Sequence, residues 1–284
     1  MKDLKLFTTM SICLALLVAG CNLDEQSLPA HSESELSSNE NKDGGNNNES
    51  DKKLLPLKII THISSILTYS ENGSSCQIFE YDKQNRITCI KNTNYGIEGV
   101  TIKIFYENDN IKTEETHPDN PQSKIIKTYR HDGMKILVDG EVLINVDNNL
   151  QATHIEQGEY GPFYFTYDEN GNAMSYTYHA WNDERTQTVN FTYNEDNGIF
   201  RNVNTPSWFL TTQIIKYISS ENNKIIYQSL YNNCATTADE NGHIFYKYEY
   251  TYNSDGYPTK VEEVPVGVMS NSSLWFEIEH IEAN

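Results

Sequence analysis

The chain has 284 residues and a formal net charge of −19, from 21 basic and 40 acidic side chains. A body this acidic repels phosphate backbones and anionic headgroups, which need clustered Lys and Arg, so nucleic acid and direct adsorption to an anionic lipid surface are poor partners. The charge suits solubility outside the cell, and all 19 Tyr lie beyond residue 56.

Lys2 and Lys5 precede an apolar run from Leu6 to Val18, followed by Ala19-Gly20-Cys21. The run is shorter than the about 20 apolar residues of a spanning helix. A basic start, a short apolar middle and small residues at the end predict a signal peptide over 1–20. The ending "LVAGC" resembles the bacterial lipoprotein lipobox. That resemblance implies that Cys21 becomes the mature N-terminus and carries acyl chains such as palmitate. Loss of Lys2, Lys5 and Asp3 then moves the charge from −19 to −20. Residues 21–56 are rich in Ser, Asn, Glu, Asp and Gly and hold no aromatic side chain. Such a stretch cannot bury enough apolar area to offset its conformational entropy, which predicts a disordered acidic tether. Asp24 and Glu25, close behind the Cys, resemble the export signal of Bacteroidetes-type surface lipoproteins. This implies lipid-anchored display at the outer membrane, facing the exterior, with a periplasmic face as the alternative.

Residues 57–284 are expected to form one domain. Four stretches share one order of residues: "FEYDKQNRITCIKN" (79–92), "FTYDENGNAMSYTY" (165–178), "FTYNEDNGIFRNVN" (191–204) and "YTYNSDGYPTKVEE" (250–263). Each alternates aromatic and polar residues, breaks at an Asp/Asn/Gly knot, then alternates again. Period two marks a half-buried strand and the knot marks a hairpin turn. Phe163, Phe165 and Tyr167 share one face with Met174, Tyr176 and Tyr178 across an even loop. In the repeat at 79–92, Phe79, Tyr81, Ile87 and Cys89 need a five-residue loop, Asp82 to Arg86, to do the same. In the last repeat a four-residue loop, Asn253–Gly256, sets Glu249 opposite Lys260 and Lys247 opposite Glu262. A tighter loop sets Glu249 against Glu262, so cross-strand charge favours the longer one.

Polar turns recur near 82–86, 107–110, 131–133, 147–149, 168–171, 194–198, 219–223 and 253–256, with return connections between them. No segment sustains a 3.6-residue apolar period. The prediction is an all-β fold, a large antiparallel up-and-down meander of roughly 16–18 strands, curled or closed like a barrel, because no single hairpin is stable alone. Lys, Glu and Thr on the outward positions argue against a barrel embedded in lipid. Counting alternations back from residue 82 puts the tether on the rim of the tight turns. The rim of longer loops, with Trp181 and Trp208, then faces away from the membrane.

"YDKQNRI" (81–87) and "YDENGNA" (167–173) resemble the Tyr-Asp-x-x-Gly/Asn-Arg-hydrophobic unit of YD repeats. With the lipobox and tether, the chain resembles Bacteroidetes-type surface lipoproteins whose YD-like hairpins form a porin-like β-sheet domain of unknown function. The resemblance implies a fold and a cellular address, and it carries no catalytic residue.

Cys76, Cys89 and Cys234 remain after Cys13 leaves with the signal peptide and Cys21 takes lipid. Three thiols allow at most one disulfide; Cys76 and Cys89 flank one hairpin turn, and either a bridge or packed free thiols fits. No phosphate loop, HExxH, CxxC or G-x-S-x-G motif is present, so no catalytic, metal or cofactor site is predicted. The Asp/Asn-rich turns read as Asx turns rather than calcium loops. Trp181, Trp208 and Phe209 on loops, and Trp275 on the final strand, are the candidate ligand-binding residues, since such rings stack on sugars or anchor proteins. The loop rings also fit as a plug folded back into the end of the sheet. The expected function is a non-enzymatic, monomeric surface protein that binds a glycan or a protein through its long-loop rim. A structural subunit docking on an outer-membrane complex, and a polysaccharide-acting enzyme with paired carboxylates, are the rivals.

Overall fold

The computed structural model describes residues 52–65, 73–94, 96–108, 110–156, 162–179, 186–216, 230–267 and 272–284. Its strands are β1 Leu54–Ser65, β2 Gly73–Tyr81, β3 Ile87–Asn94, β4 Ile97–Glu107, β5 Asn110–His117, β6 Asn120–Asp132, β7 Lys135–Val138 and β8 Glu141–Val146. They continue as β9 Ala152–Ile155, β10 Phe163–Tyr167, β11 Ala173–His179, β12 Thr186–Asn197, β13 Asn232–Ala238, β14 Ile244–Tyr252, β15 Pro258–Pro265 and β16 Ser272–Glu282. Each strand is antiparallel to the next, and β1 pairs with β16, so the sixteen-strand meander closes into a barrel. Closure removes both sheet edges, as a long twisted sheet requires. An even strand number returns both ends to one rim, where Leu54 faces Glu282. Pairing thus begins three residues ahead of the boundary expected at 57.

The repeat has a specific physical content. At Asp82–Arg86, Asp147–Gln151, Asp168–Asn172, Asp239–His243 and Asn253–Tyr257 the first residue donates its N–H to the carbonyl of the fifth, and accepts from the N–H of the fourth. The Oδ1 of the first residue also accepts from the N–H of the fifth in all five turns, at 2.8–3.0 Å. The fourth residue is always left-handed: Asn85, Leu150, Gly171, Gly242 and Gly256 have φ of 62°, 59°, 90°, 83° and 76°. This is a type I turn followed by a left-handed residue, capped by an Asx side chain. Arg86 adds a bond from Nε to Asp82 Oδ2 at 2.8 Å, and Asn172 adds one from Nδ2 to Asp168 Oδ2 at 3.0 Å. Asn172 therefore does in its turn what Arg86 does in the first. Burial pushes the Asp82 carboxyl up, but the hydrogen bonds from Arg86 and Gln84 hold it below the usual range.

Five tyrosines act as clips between neighbouring strands. Tyr81, Tyr106, Tyr167, Tyr193 and Tyr250 donate their hydroxyls to the carbonyls of Pro56, Ile87, Ala152, Ala173 and Cys234, at 2.6–2.8 Å. Each clip ties β2, β4, β10, β12 or β14 to the strand before it. Burial pushes the Tyr106 phenol up to about 12, so these hydroxyls stay protonated donors at neutral pH.

Sequence and structure diverge between residues 198 and 231. Strands expected on either side of 204–209 are absent from the described part of this region. Residues 198–206 instead cross the turn rim and lead into α1, Ser207–Lys216. Pro206, with its φ preset, opens the helix, and its carbonyl accepts from Leu210 N. Residues Trp208 to Thr212 are all buried. Five consecutive buried residues leave no polar side to this turn of the helix, so no amphipathic stripe marks it in the sequence. Trp208 and Phe209 pack on Tyr129 at centroid distances of 5.7 and 5.6 Å, and Phe200 meets Phe79 edge-on at 5.7 Å. Asn204 N donates to Asn85 O, Thr205 Oγ1 accepts from Ile87 N, Asn202 Nδ2 donates to Leu54 O and Ser207 Oγ donates to Leu150 O. The segment is a plug stitched to the turn rim. Trp208 therefore lies on the same rim as the start of β1, which corrects the expectation that it faces away.

The last hairpin also corrects a register. Glu249 faces Glu262, Lys247 faces Val264 and Lys260 faces Thr251. The capped turn and a bulge between Thr251 and Tyr252 dictate this pairing, and exposed ion pairs of under about 1 kcal/mol cannot override them. Tyr176 and Tyr178 join Phe163 and Phe165 inside, whereas Met174 is displaced by the bulge of that hairpin and is 40% exposed. Cys89 pairs with Glu80 while Ile90 takes the inward place opposite Phe79. Cys76 pairs with Thr93, four residues along the strand from Glu80, about 13 Å away. A disulfide needs Cα atoms within about 7 Å, and all three thiols are free.

Inside, Ile59, Phe79, Ile102, Ile104, Ile136, Ile144, Phe163, Phe191 and Phe276 fill an apolar core. Outside run ion pairs such as Lys58–Glu279 and hydroxyl ladders, Thr166–Ser175, Thr177–Thr188 and Thr192–Thr236. A bilayer-spanning barrel has the reverse order, an apolar outer band around a polar lumen.

Candidate functional site

The four ring residues read from the sequence do not form one site. Trp181 lies outside the described residues. Trp208 and Phe209 are 3% and 1% exposed and belong to the plug, so they stabilise the barrel and present no ring to a ligand. Trp275 projects from the outer wall and stacks on His62 at 4.8 Å across the β1–β16 seam. Cys21 also lies outside the described residues.

A polar groove of about 900 Å³ opens instead on the turn rim. Four distant stretches build it: Lys53 ahead of β1, the turn before β11 with Met174, the end of β12, and both ends of the plug connection. The 168–172 turn sits hard against the plug, because a Cβ on Gly171 would meet Tyr231 Cε2 at 2.8 Å. Asn172 joins the walls: its Nδ2 donates to Asp168 Oδ2 and Asn232 Oδ1, and its Oδ1 accepts from Asn232 N, all at 3.0 Å. Asn194 Nδ2 donates to Tyr252 at 2.8 Å, and the Tyr193 hydroxyl is held by Ala173 O. These bonds spend the inner amides on rigidity.

The groups left for a ligand are the exposed ones. Lys53, Asn170, Met174, Glu195 and Arg201 line the groove and are exposed. Lys53 and Arg201 enter no ion pair among the described residues, so two cations stand free beside amide and ring surfaces. No His, Cys or Ser lines the groove among the described residues. Asp168 has both carboxylate oxygens engaged by Asn172. The chemistry on offer is hydrogen bonding to hydroxyls, apolar contact along Met174, and a guanidinium fork suited to a carboxylate. Sequence reasoning missed this site because its walls meet only in the fold. The one local signal was the Asn density of 194–204 and 232–233.

No family model matches this chain, and no curated protein matches it. Among solved structures it is similar to a porin-like protein from Bacteroides uniformis, at 14% identity over 79% of this chain and 98% of that one, with a TM-score of 0.42.

Proposed function

We propose that this protein is a lipid-anchored, non-enzymatic outer-membrane protein that binds a glycan in the turn-rim groove. The observation that carries the reading is the groove itself, a rigid polar concavity where Arg201 and Lys53 have no ion-pair partner among the described residues, in a chain of net charge −19. Amide and hydroxyl walls suit a polyhydroxylated ligand, and the free guanidinium favours a sugar that carries a carboxylate. The lipobox-like ending at Cys21 supplies the anchor, and the apolar core with its charged outer wall favours a barrel standing in water on a tether. The groove adjoins Lys53, at the root of that tether. On this reading recognition belongs to the rim opposite to the one favoured by loop length.

The test is a glycan array probed with the full chain. Saturable binding to carboxylated oligosaccharides is expected, weakened at least about tenfold by Arg201→Ala. Binding unaffected by that exposed substitution, or no binding, contradicts the reading. Acyl labelling lost in Cys21→Ser checks the anchor separately.

A further inference from the structure

The barrel wall has a step at β6. This strand pairs with β5 from Asn120 to Arg130, but with β7 only from Tyr129 to Asp132. The cause lies in the sequence, since Asp139-Gly140 turns the chain back after the four residues of β7. The β7–β8 turn ends at Thr128, whose N–H donates to Asp139 Oδ1 and whose carbonyl accepts from Asp139 N, both at 3.0 Å. Beyond it, β6 has a neighbour on one side only among the described residues.

Strand geometry says which groups are left over. Thr128 turns its N–H and carbonyl towards the missing neighbour, so Ile126 and Lys124 do as well, in a ladder that is regular from Thr116↔Lys124 onward. Ile125 and Ile126 are 46% and 50% exposed. Main-chain donors and acceptors flanked by two exposed isoleucines form a template for an added strand.

Charge selects the occupant. From Asn120 to His131 the chain carries Lys124, Lys127 and Arg130 and no acid. Glu114 is shared by Lys112 and Lys124, and Lys127 has no ion-pair partner among the described residues. A second copy fits poorly, because antiparallel self-pairing gathers the lysines of both copies on one short ladder. We infer that the free edge of β6 is a docking site for an extended acidic segment of a partner protein, added as the next strand. Opposite Lys124-Ile125-Ile126-Lys127 the complementary order is acid, apolar, apolar, acid, with one acid on each face. This surface is independent of the glycan groove.

Fluorescence anisotropy with the full chain and labelled Thr-Glu-Val-Val-Glu-Thr tests it. Saturable binding is expected, at least about tenfold weaker for Thr-Lys-Val-Val-Lys-Thr, and weakened by salt. Ile126→Pro removes only an N–H that faces solvent and should abolish binding. The double reversal Lys124→Glu, Lys127→Glu should exchange the preference between the two peptides, which a merely misfolded variant would not do. Equal binding of both peptides, no binding of either, or a dimer that Ile126→Pro dissolves would overturn the inference.

Discussion

The two rims of this barrel are finished in opposite ways. The turn rim collects four of the five Asx-capped turns, the start of β1, the end of β16 and the plug, and the plug is hydrogen-bonded to Leu54, Asn85, Ile87 and Leu150. The far rim is uneven, and among the described residues its β6 stands beyond the wall with one edge open. Among the described residues the difference comes from what covers the strand ends: the plug's apolar rings on one side, and no comparable cover beside β6 on the other. One rim holds the stability and the rigid groove. The other leaves main chain available for pairing.

Substitutions rank accordingly. Phe209→Ala empties a core position against Tyr129 and should cost about 3–5 kcal/mol in denaturant unfolding. Asp82→Ala leaves the N–H groups of Gln84 and Arg86 without their acceptor and should cost about 1–3 kcal/mol. Tyr167→Phe removes one clip to Ala152 and should cost about 1 kcal/mol. Leu150→Gly should instead stabilise by about 1 kcal/mol, because Leu150 holds φ of 59° where a side chain is strained. On the far rim, Ile126→Thr should change stability by less than about 0.5 kcal/mol. A large loss there, or a small one at Phe209, would erase the distinction between the rims.

Acid sharpens the same contrast. Burial lowers the His280 imidazole to about 4, below its ordinary 6.5. The unfolded chain therefore binds the extra proton first, and stability should fall as pH drops from 6.5 towards 4. His280→Phe should reduce that slope in pH-dependent melting.

Three of the four repeats were legible as hairpins because the turn chemistry is local: an Asx cap, a left-handed fourth residue and a clipping Tyr all lie within a few positions; the fourth, at 191–204, keeps its clip at Tyr193 but runs on into the plug instead of turning. The register was not. In the last hairpin a bulge shifts Glu249 onto Glu262, and exposed charges are too weak to reveal such a shift. The plug was illegible for another reason, since "WFL" at 208–210 reads equally as a strand or as a helix buried all round. The groove could not be read at all, because Asn172, Arg201 and Asn232 meet only after the barrel closes. The step at β6 is half-visible: Asp139-Gly140 marks a short β7, but nothing local says how far β6 runs on.

Amide hydrogen exchange on the full chain tests closure and the step together. Lys58–Ile63 of β1 and Leu274–Glu279 of β16 should exchange as slowly as the β10–β11 hairpin, while Lys124 and Ile126 exchange fast between slower Ile125 and Lys127. Fast exchange along β1 and β16, as on an open edge, would contradict the closed barrel.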